Sequence, residues 1–111
     1  MKRYSFSKEE KVLTSSDFKK VLQGGSTQRT EHFKVFIYPN RLERKRLGIT
    51  TSRRVGTAVK RNRIKRLLRE FFRLHKTCLP PSSDIVFIVK PGAGKLDYSR
   101  LCEELKNILC V

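Results

Sequence analysis

The sequence is poor in negative charge. Ten Asp and Glu residues stand against 26 Lys and Arg residues, which gives a formal net charge of +16 over 111 residues. Self-repulsion on this scale works against a compact chain unless a polyanion neutralises it. The composition therefore predicts a small basic protein whose partner is a nucleic acid.

Long apolar runs are also missing. No run approaches the roughly 20 residues that a membrane-spanning helix needs. No apolar signal-peptide region follows Met1. These absences argue against a membrane surface as the competing polyanion, and we expect a soluble, cytoplasmic protein with no membrane partner.

Cysteine and histidine are too few and too scattered to suggest a metal site. Cys78, Cys102 and Cys110 are odd in number and show no C-x-x-C spacing, and His32 and His75 are the only histidines. This pattern predicts no zinc site. Cys102 falls on the apolar side of a predicted C-terminal helix, where we expect a small core residue, and the other two cysteines are expected to be partly exposed.

Catalytic constellations are absent as well. Local spacing gives neither histidine a nucleophile or a carboxylate partner. Glu103 and Glu104 are adjacent in sequence, which is typical of a solvated helix face. We therefore predict no catalytic residue and no metal ligand, and expect that any reaction this protein serves uses groups and metal ions of a partner.

What the chain does contain is a basic segment with a hydrophobic stripe. Nine Lys and Arg residues and a single carboxylate lie between Arg53 and Arg73. The apolar residues of this segment recur at i, i+3, i+4 and i+7, which places them on one side of an α-helix. They are Ile64, Leu67, Leu68 and Phe71. The pattern predicts a folded basic helix from about Thr57 to Lys76, whereas a disordered polybasic tail would lack the stripe.

Helical geometry divides the charges of this segment into two groups. At about 100° per residue, an outward ridge is formed by Asn62, Lys65, Arg66, Arg69 and Arg73. Lys60 and Arg61 lie instead on the apolar side, one turn before Ile64, where an unpaired buried cation would be costly. We expect the first helical turn to overhang the core and to point these two side chains into a groove.

The remaining periodicities predict a single α+β domain over residues 1–111, in the order α, β, β, β, α, β, α. The predicted segments are a short helix with Ser15 as its N-cap and Gly24-Gly25 as its stop, an edge strand within Ser26–Glu31, a strand at Phe33–Tyr38, a charged hairpin loop at Pro39–Arg46, a strand at Leu47–Ser52, the basic helix, a central strand at Asp84–Lys90, and a last helix capped by Asp97. Residues 1–11 are expected to be extended or disordered. The architecture is a four-stranded sheet packed with helices.

The strand at Phe33–Tyr38 has two different faces. Phe33, Val35 and Ile37 form the first, which we assign to the core. The second face carries Lys34, Phe36 and Tyr38, a mixture suited to stacking unpaired bases and neutralising phosphates. The alternative is a second hydrophobic layer beneath the short helix. Both interpretations stay open, because Phe18 on that helix could close one side of a groove floored by Phe36.

Residues 56–70, with Arg61-Asn62-Arg63 at their centre, resemble the R-N-R signature of the bacterial ribonuclease P protein subunit. The resemblance extends to residues 17–21, to residues 46–54 and to residues 84–89, so it covers nearly the whole chain. It implies a fold similar to domain 2 of ribosomal protein S5, with a left-handed β-α-β crossover. The sequence itself gives no sign of that handedness.

The resemblance also implies a function. The family provides the non-catalytic protein subunit of a ribonucleoprotein endoribonuclease. The RNA subunit of that enzyme uses Mg²⁺ to remove the 5′ leader of precursor tRNA. The implied partners are the catalytic RNA and the leader, with no obligate protein partner.

Two sets of site residues follow from the matched positions. Those implied to face the catalytic RNA are Arg53, Arg54, Arg61, Asn62, Arg63, Lys65, Arg66 and Arg69. Those implied to line the leader cleft are Phe18, Leu22, Lys34, Phe36 and Thr50, with Lys60 and Arg61 at its basic side. Relatives often carry a second aromatic residue at the position of Leu22, so this chain has one stacking surface fewer.

Three other functions compete with this interpretation. A ribosomal protein or another structural RNA-binding protein would have the same composition, although not the R-N-R helix. A DNA-binding module would place the basic helix in the major groove, but the sequence shows no zipper or helix-turn-helix pattern. A nuclease that acts without RNA would need catalytic residues, which the sequence does not suggest.

Overall fold

The computed structural model describes residues 15–41 and 45–109. The expectations for residues 1–11 and for Cys110 lie outside this part of the chain. Its helices and strands are α1 (Ser15–Gly24), β1 (Ser26–Arg29), β2 (Phe33–Pro39), β3 (Arg46–Thr50), α2 (Ala58–Leu74), β4 (Ser83–Val89) and α3 (Tyr98–Leu109). The predicted order of elements and the α+β class are confirmed.

The four strands form one mixed sheet in the order β1-β2-β4-β3. β2 pairs with β1 and with β4 in the antiparallel sense, whereas β3 and β4 are parallel. The predicted central position of β4 is confirmed. The hairpin predicted at Pro39–Arg46 is wrong, because β4 lies between β2 and β3.

The parallel pairing of β3 and β4 makes β3-α2-β4 a β-α-β unit. Parallel neighbours need a long crossover connection, and the basic helix α2 supplies it. The carboxyl ends of β3 and β4 therefore meet at one end of the sheet, and residues 51–57 and 90–97 lie beyond that end. The left-handed crossover implied by the family resemblance stays a prediction.

The two faces of the sheet carry two separate hydrophobic clusters. Phe33 and Val35 on β2 join the larger cluster together with α2 and α3, and their side chains are fully buried. The opposite face carries a smaller cluster in which Val21 of α1 packs on Phe36 and Val86. The core face of β2 and the second hydrophobic layer beneath the short helix are thus confirmed.

Helix α2 begins where Thr57 accepts a hydrogen bond from the backbone of Lys60 at 3.3 Å. The residues of its buried side are Ile64, Leu68, Phe71 and Phe72, with Leu67 half-buried. The helix ends at His75, whose backbone N–H donates to the carbonyl of Phe71 and whose ring stacks on that side chain. The predicted amphipathic basic helix is confirmed, although it is one residue shorter at the start and two shorter at the end.

Two polar networks fasten helices to the sheet. Buried Asp84 on β4 accepts hydrogen bonds from Arg46 at 2.7 and 2.8 Å and from Asn40 at 2.9 Å. Arg46 also contacts Asp17 of α1 at 3.3 Å. Arg46 therefore links β3, β4 and α1 through its guanidinium group, which presents several donors in a fixed plane.

The second network joins α3 to the turn between β1 and β2. Glu104 on α3 accepts hydrogen bonds from Thr30 Oγ1 and, at 2.8 Å, from the backbone N–H of His32. His32 Nδ1 lies 2.8 Å from the other carboxylate oxygen. Asp97 caps α3 as predicted, since it accepts from the N–H of Arg100 at 2.9 Å.

The structure tests one of the expectations about the cysteines. Cys102 is half-buried and packs against the core, which confirms its assignment as a core residue. The side chain of Cys78, in the turn before β4, lies outside the described part of the structure. None of the helices in residues 15–41 and 45–109 is long and apolar enough to cross a membrane.

Candidate nucleic-acid interface

The outward side of α2 presents a ridge of polar and basic side chains. Asn62, Arg66 and Arg69 are exposed, and Lys65 is half-buried. Arg73 lies on the same side, but it forms an ion pair with Glu70 at 2.6 Å. Because the opposite side of the helix is fixed in the core, the free charges of the ridge are held in a rigid array that can meet a phosphate backbone.

The two arginines of the Arg61-Asn62-Arg63 motif differ from the exposed ridge. Arg63 is half-buried and its Nη1 donates to the carbonyl of Gly94 at 3.3 Å. Arg61 is also half-buried, and its Nε is shielded from solvent with no hydrogen-bond partner among the described residues. Within the motif Asn62 is exposed, whereas both arginines are half-buried.

A second group of cations surrounds the first turn of α2, beyond the carboxyl ends of β3 and β4. Arg53 and Arg54 are exposed in the short 3₁₀ turn Arg53–Val55. Lys60 is exposed too, and its aliphatic stem runs alongside two glycines. Gly56 has φ +147°, and a Cβ there would lie 2.9 Å from Lys60 Cδ. Glycine is thus needed at this turn, and the predicted overhang of the first helical turn stays a prediction.

The cleft residues predicted on the other face of the sheet lie in two neighbouring rows. Thr50 and Lys34 both pair with Ile88, one from each side, so these three side chains form one row across β3, β4 and β2. Phe36 and Val86 form the next row, beneath α1. The structure therefore places Lys34 and Thr50 in the same row of side chains, on either side of Ile88.

The aromatic members of the predicted cleft are at least half-buried. Phe36 is 6% exposed, and Lys34 Nζ lies 5.3 Å from the centre of its ring. Phe18 is half-buried against the same cluster. Leu22 on the same helix is 43% exposed. The stacking role of Phe36 stays a prediction, whereas its packing role is directly visible.

Sequence reasoning missed the long-range partners of several charged residues. Glu104 has His32 as a partner 72 residues away, and Arg46 has Asp84 as a partner 38 residues away. Only the expectation of a solvated Glu103 holds for the acidic pair on α3, because Glu104 is half-buried. Local spacing carries no signal for such pairs, since folding alone brings the residues together.

The environment of Glu104 changes its acidity. Burial opposes ionisation, but the hydrogen bonds from Thr30 and His32 outweigh it and lower the pKa of Glu104 below its ordinary value. Burial and a contact with Cys102 raise the pKa of the Tyr98 hydroxyl. No group of three or more His, Cys, Asp and Glu side chains within residues 15–41 and 45–109 could hold a metal ion.

Comparison with known proteins identifies the family to which this arrangement belongs. The family model described as Ribonuclease P matches residues 6–110. The chain belongs to the ribonuclease P protein family. Its members are RNA-binding components of a tRNA-processing ribonucleoprotein.

Individual ribonuclease P proteins agree with this assignment. The chain is 40% identical over 109 residues to the ribonuclease P protein component of Syntrophus aciditrophicus, covering 98% of this chain and 92% of the relative. It is 46% identical over 108 residues to that of Desulfosudis oleivorans, covering 97% and 89%. These identities extend over nearly the whole of both chains.

Solved structures of ribonuclease P proteins have the same fold. A mutant of the Staphylococcus aureus protein superposes with a TM-score of 0.84 at 30% identity, covering 92% of this chain and 86% of that one. The Thermotoga maritima protein superposes with a TM-score of 0.81 at 33% identity, covering 90% and 94%. The resemblance expected from the R-N-R helix is thus confirmed for family and fold.

Proposed function

We propose that the exposed ridge of α2 binds the catalytic RNA of ribonuclease P, with the adjoining 3₁₀ turn extending the contact. The observation that carries this proposal is the fixed array of Asn62, Arg66 and Arg69 on a helix whose other side is buried. Each neutralised phosphate releases counterions, so several such contacts give an affinity that falls steeply with salt. Lys65, Arg53 and Arg54 add charge to the same side of the molecule.

The half-buried arginines of the motif have a second role in this proposal. Arg63 is tied to the carbonyl of Gly94, which holds the first turns of α2 against the 3₁₀ turn Ala93–Lys95. Arg61 lies one turn before Ile64 on the side that faces the core. Both residues orient the ridge while their charged ends add to the electrostatic field that attracts RNA.

The sheet face beside α1 binds the 5′ leader of precursor tRNA in this proposal. Lys34 neutralises a leader phosphate, Thr50 offers a hydroxyl as donor or acceptor, and Phe18 and Leu22 form the wall on the α1 side. Lys60 and Arg61 supply charge from the end of the sheet. A protein with this much positive charge can hold two RNAs together although the RNAs repel each other.

The chemistry belongs to the RNA in this scheme. Hydrolysis of the phosphodiester at the 5′ end of tRNA would use Mg²⁺ held mainly by the RNA subunit, and we assign the ion no protein ligands. The protein lowers the Michaelis constant for precursor tRNA by holding its leader. We place this activity in the cytoplasm, with no requirement for another protein.

The assembly role is tested by replacing Arg66, which is exposed and has no carboxylate partner among the described residues. Arg66→Ala should weaken binding to the catalytic RNA, and should make the slope of log affinity against log salt less steep by about 0.7 to 0.9, which is the loss expected for one phosphate contact. The measurement is a filter-binding titration at several KCl concentrations.

The matched control for this test is Arg100→Ala. Arg100 is an exposed arginine on α3, outside the proposed surface, and its loss removes the same charge. If both variants lower affinity equally, only net charge matters and the ridge has no special role. The main alternative, a ribosomal protein, is tested by identifying the RNA that co-purifies with the protein from cells. A ribosomal protein would bring down ribosomal RNA.

A further inference from the structure

The exposed edge strand β1 belongs neither to the residues matched by the family resemblance nor to the proposed cleft. All four residues of β1 are exposed. Arg29, the last of them, pairs directly with Lys34 on β2. Directly paired residues in an antiparallel sheet point to the same face, so Arg29 lies on the face of the proposed cleft.

The pairing extends the row of cleft residues to all four strands. Thr50 and Lys34 pair with Ile88, and Lys34 pairs in turn with Arg29. With neighbouring strands about 4.8 Å apart, the row spans roughly 14 Å from β3 to β1. Helix α1 covers the neighbouring row of Phe36 and Val86, so it lies beside this row as one wall.

The juxtaposition of Arg29 and Lys34 is unfavourable in the free protein. Like charges placed directly opposite on neighbouring strands destabilise a sheet. In the described part of the chain no carboxylate forms an ion pair with either side chain, although Glu104 and Asp84 pair with other residues nearby in the fold. An anion bound between the two cations would turn this repulsion into attraction.

We propose that Arg29 and Lys34 form a phosphate-binding subsite on β1 and β2 that holds the distal part of a single-stranded RNA leader. This inference rests on the proposed leader cleft and extends it by one strand. The direction in which the leader runs along the row follows from the position of the proposed catalytic-RNA surface. That surface lies at α2 and at the carboxyl ends of β3 and β4. A leader cut near that surface passes Thr50 first and reaches Arg29 last.

The row contains apolar and polar side chains as well as cations, and this mixture favours a single-stranded leader over other anions. A half-buried Ile88 and an exposed Thr50 separate the cationic end from the end near α2, and unpaired nucleotides offer both apolar bases and charged phosphates to such a surface. A duplex is wider than the single row and presents its bases only at groove edges. Among residues 15–41 and 45–109, no further strand pairs with the outer edge of β1.

The test uses the reconstituted ribonucleoprotein and precursor tRNAs that differ only in leader length. For the wild type, affinity should rise as the leader lengthens and then level off. Arg29→Gln should abolish the last part of this rise, leaving short-leader substrates unchanged. For long leaders the slope of log affinity against log salt should become less steep by about 0.7, the value for one single-strand phosphate contact.

Three variants control the interpretation. Arg29→Lys keeps the charge and should retain most of the long-leader affinity. Arg100→Gln removes the same charge from α3 and should leave all substrates unchanged. Arg29→Glu should penalise long leaders more than Arg29→Gln. Thermal unfolding of each variant verifies the fold, which we expect to persist because Arg29 is exposed.

The outcomes separate this inference from the function on which it rests. If wild-type affinity does not depend on leader length, the leader cleft itself is wrong. If wild-type affinity rises with length and Arg29→Gln leaves the rise intact, the cleft stands and the subsite on β1 is refuted. Equal weakening of every substrate, including mature tRNA, would also overturn the subsite, because Arg29 would then contact another part of the complex.

Discussion

Glu104 shows how a single carboxylate makes the stability of this basic protein depend on pH. Its pKa is lowered in the folded state by Thr30 and His32, in spite of burial. A group whose folded pKa lies below its unfolded value, about 4.3 for Glu, stabilises the fold at higher pH. We expect this contribution to be complete above that value and to be lost as the pH falls through the folded pKa.

The expected result is specific to Glu104. Glu104→Gln should lower the free energy of unfolding at neutral pH by about 2 kcal/mol, since it removes charge-assisted hydrogen bonds. It should also flatten the acid limb of the stability profile, measured by urea unfolding between pH 3 and pH 7, a range chosen to bracket ordinary Glu titration at about 4.3. Glu103→Gln is the control. An identical profile for both variants would contradict the role of the Thr30 and His32 contacts.

Arg46 and Asp84 form the other decisive pair of single residues. The Asp84 side chain is 3% exposed and Arg46 binds both of its oxygens. Arg46→Met keeps much of the volume but leaves a buried carboxylate without its partner. We expect a loss of about 3 kcal/mol in the free energy of unfolding, measured in urea, because an uncompensated buried charge is costly.

A double variant distinguishes the unpaired charge from lost packing. Adding Asp84→Asn to Arg46→Met removes the charge that the first substitution leaves behind. The double variant should therefore be more stable than Arg46→Met alone. A further loss of stability would mean that Asp84 acts through its other partner, Asn40, more than through Arg46.

Among the secondary-structure elements, α1 offers both buried and exposed contacts for testing the leader cleft. Its inner side holds Val21 against Phe36, so Phe36→Ala would remove a buried ring and destabilise the fold by about 3 to 5 kcal/mol. Such a variant cannot separate leader binding from packing. Leu22 offers a cleaner experiment, since it lies on the same helix and is 43% exposed.

We predict that Leu22→Phe strengthens leader binding. An added aromatic ring gives an unpaired base a stacking surface, which is worth roughly 1 to 3 kcal/mol per base. The Michaelis constant for precursor tRNA should fall, with little change for leaderless substrate. Leu74→Phe is the control, because Leu74 is 52% exposed at the far end of α2. Equal effects of the two variants would place Leu22 outside the cleft.

The elements also show what the sequence can and cannot predict. The period of apolar residues identified α2 and the two faces of β2, because burial on one side imposes that period directly. It did not reveal that β4 inserts between β2 and β3, since strand order depends on contacts between distant segments. The same limit explains why Arg61-Asn62-Arg63 was recognisable as a motif, whereas the contact of Arg63 with Gly94 was not.

For the molecule as a whole, the uneven distribution of charge predicts the side from which RNA approaches the protein. Several of the described acids gather around α3 and the turn before β2, where Glu31, Glu103 and Glu104 line a shallow pocket with Arg100 and Asn107. The ridge of α2 and the end of the sheet carry mainly cations. We expect RNA to approach from those two surfaces and to avoid the side of α3.

This distribution predicts opposite effects of salt on the free protein and on its complex. The radius of gyration is 13.1 Å. At 0.01 M salt the screening length is about 30 Å, so charges repel across the entire molecule, whereas at 1 M it is about 3 Å. Added KCl should therefore raise the melting temperature of the free protein, because it screens self-repulsion from a net charge of +16.

Bound RNA should reverse this trend. A ligand that binds only the folded state raises the melting temperature by mass action, and counterion release makes its affinity fall as salt rises. The gain in melting temperature on adding catalytic RNA should thus be greatest at low salt and shrink steadily with KCl, while the melting temperature of the free protein climbs. Thermal unfolding followed by circular dichroism at the protein's aromatic and amide bands, with RNA baselines subtracted, checks both curves. If the two curves rise in parallel, charge neutralisation does not govern assembly, and the ridge of α2 would have to bind RNA by shape alone.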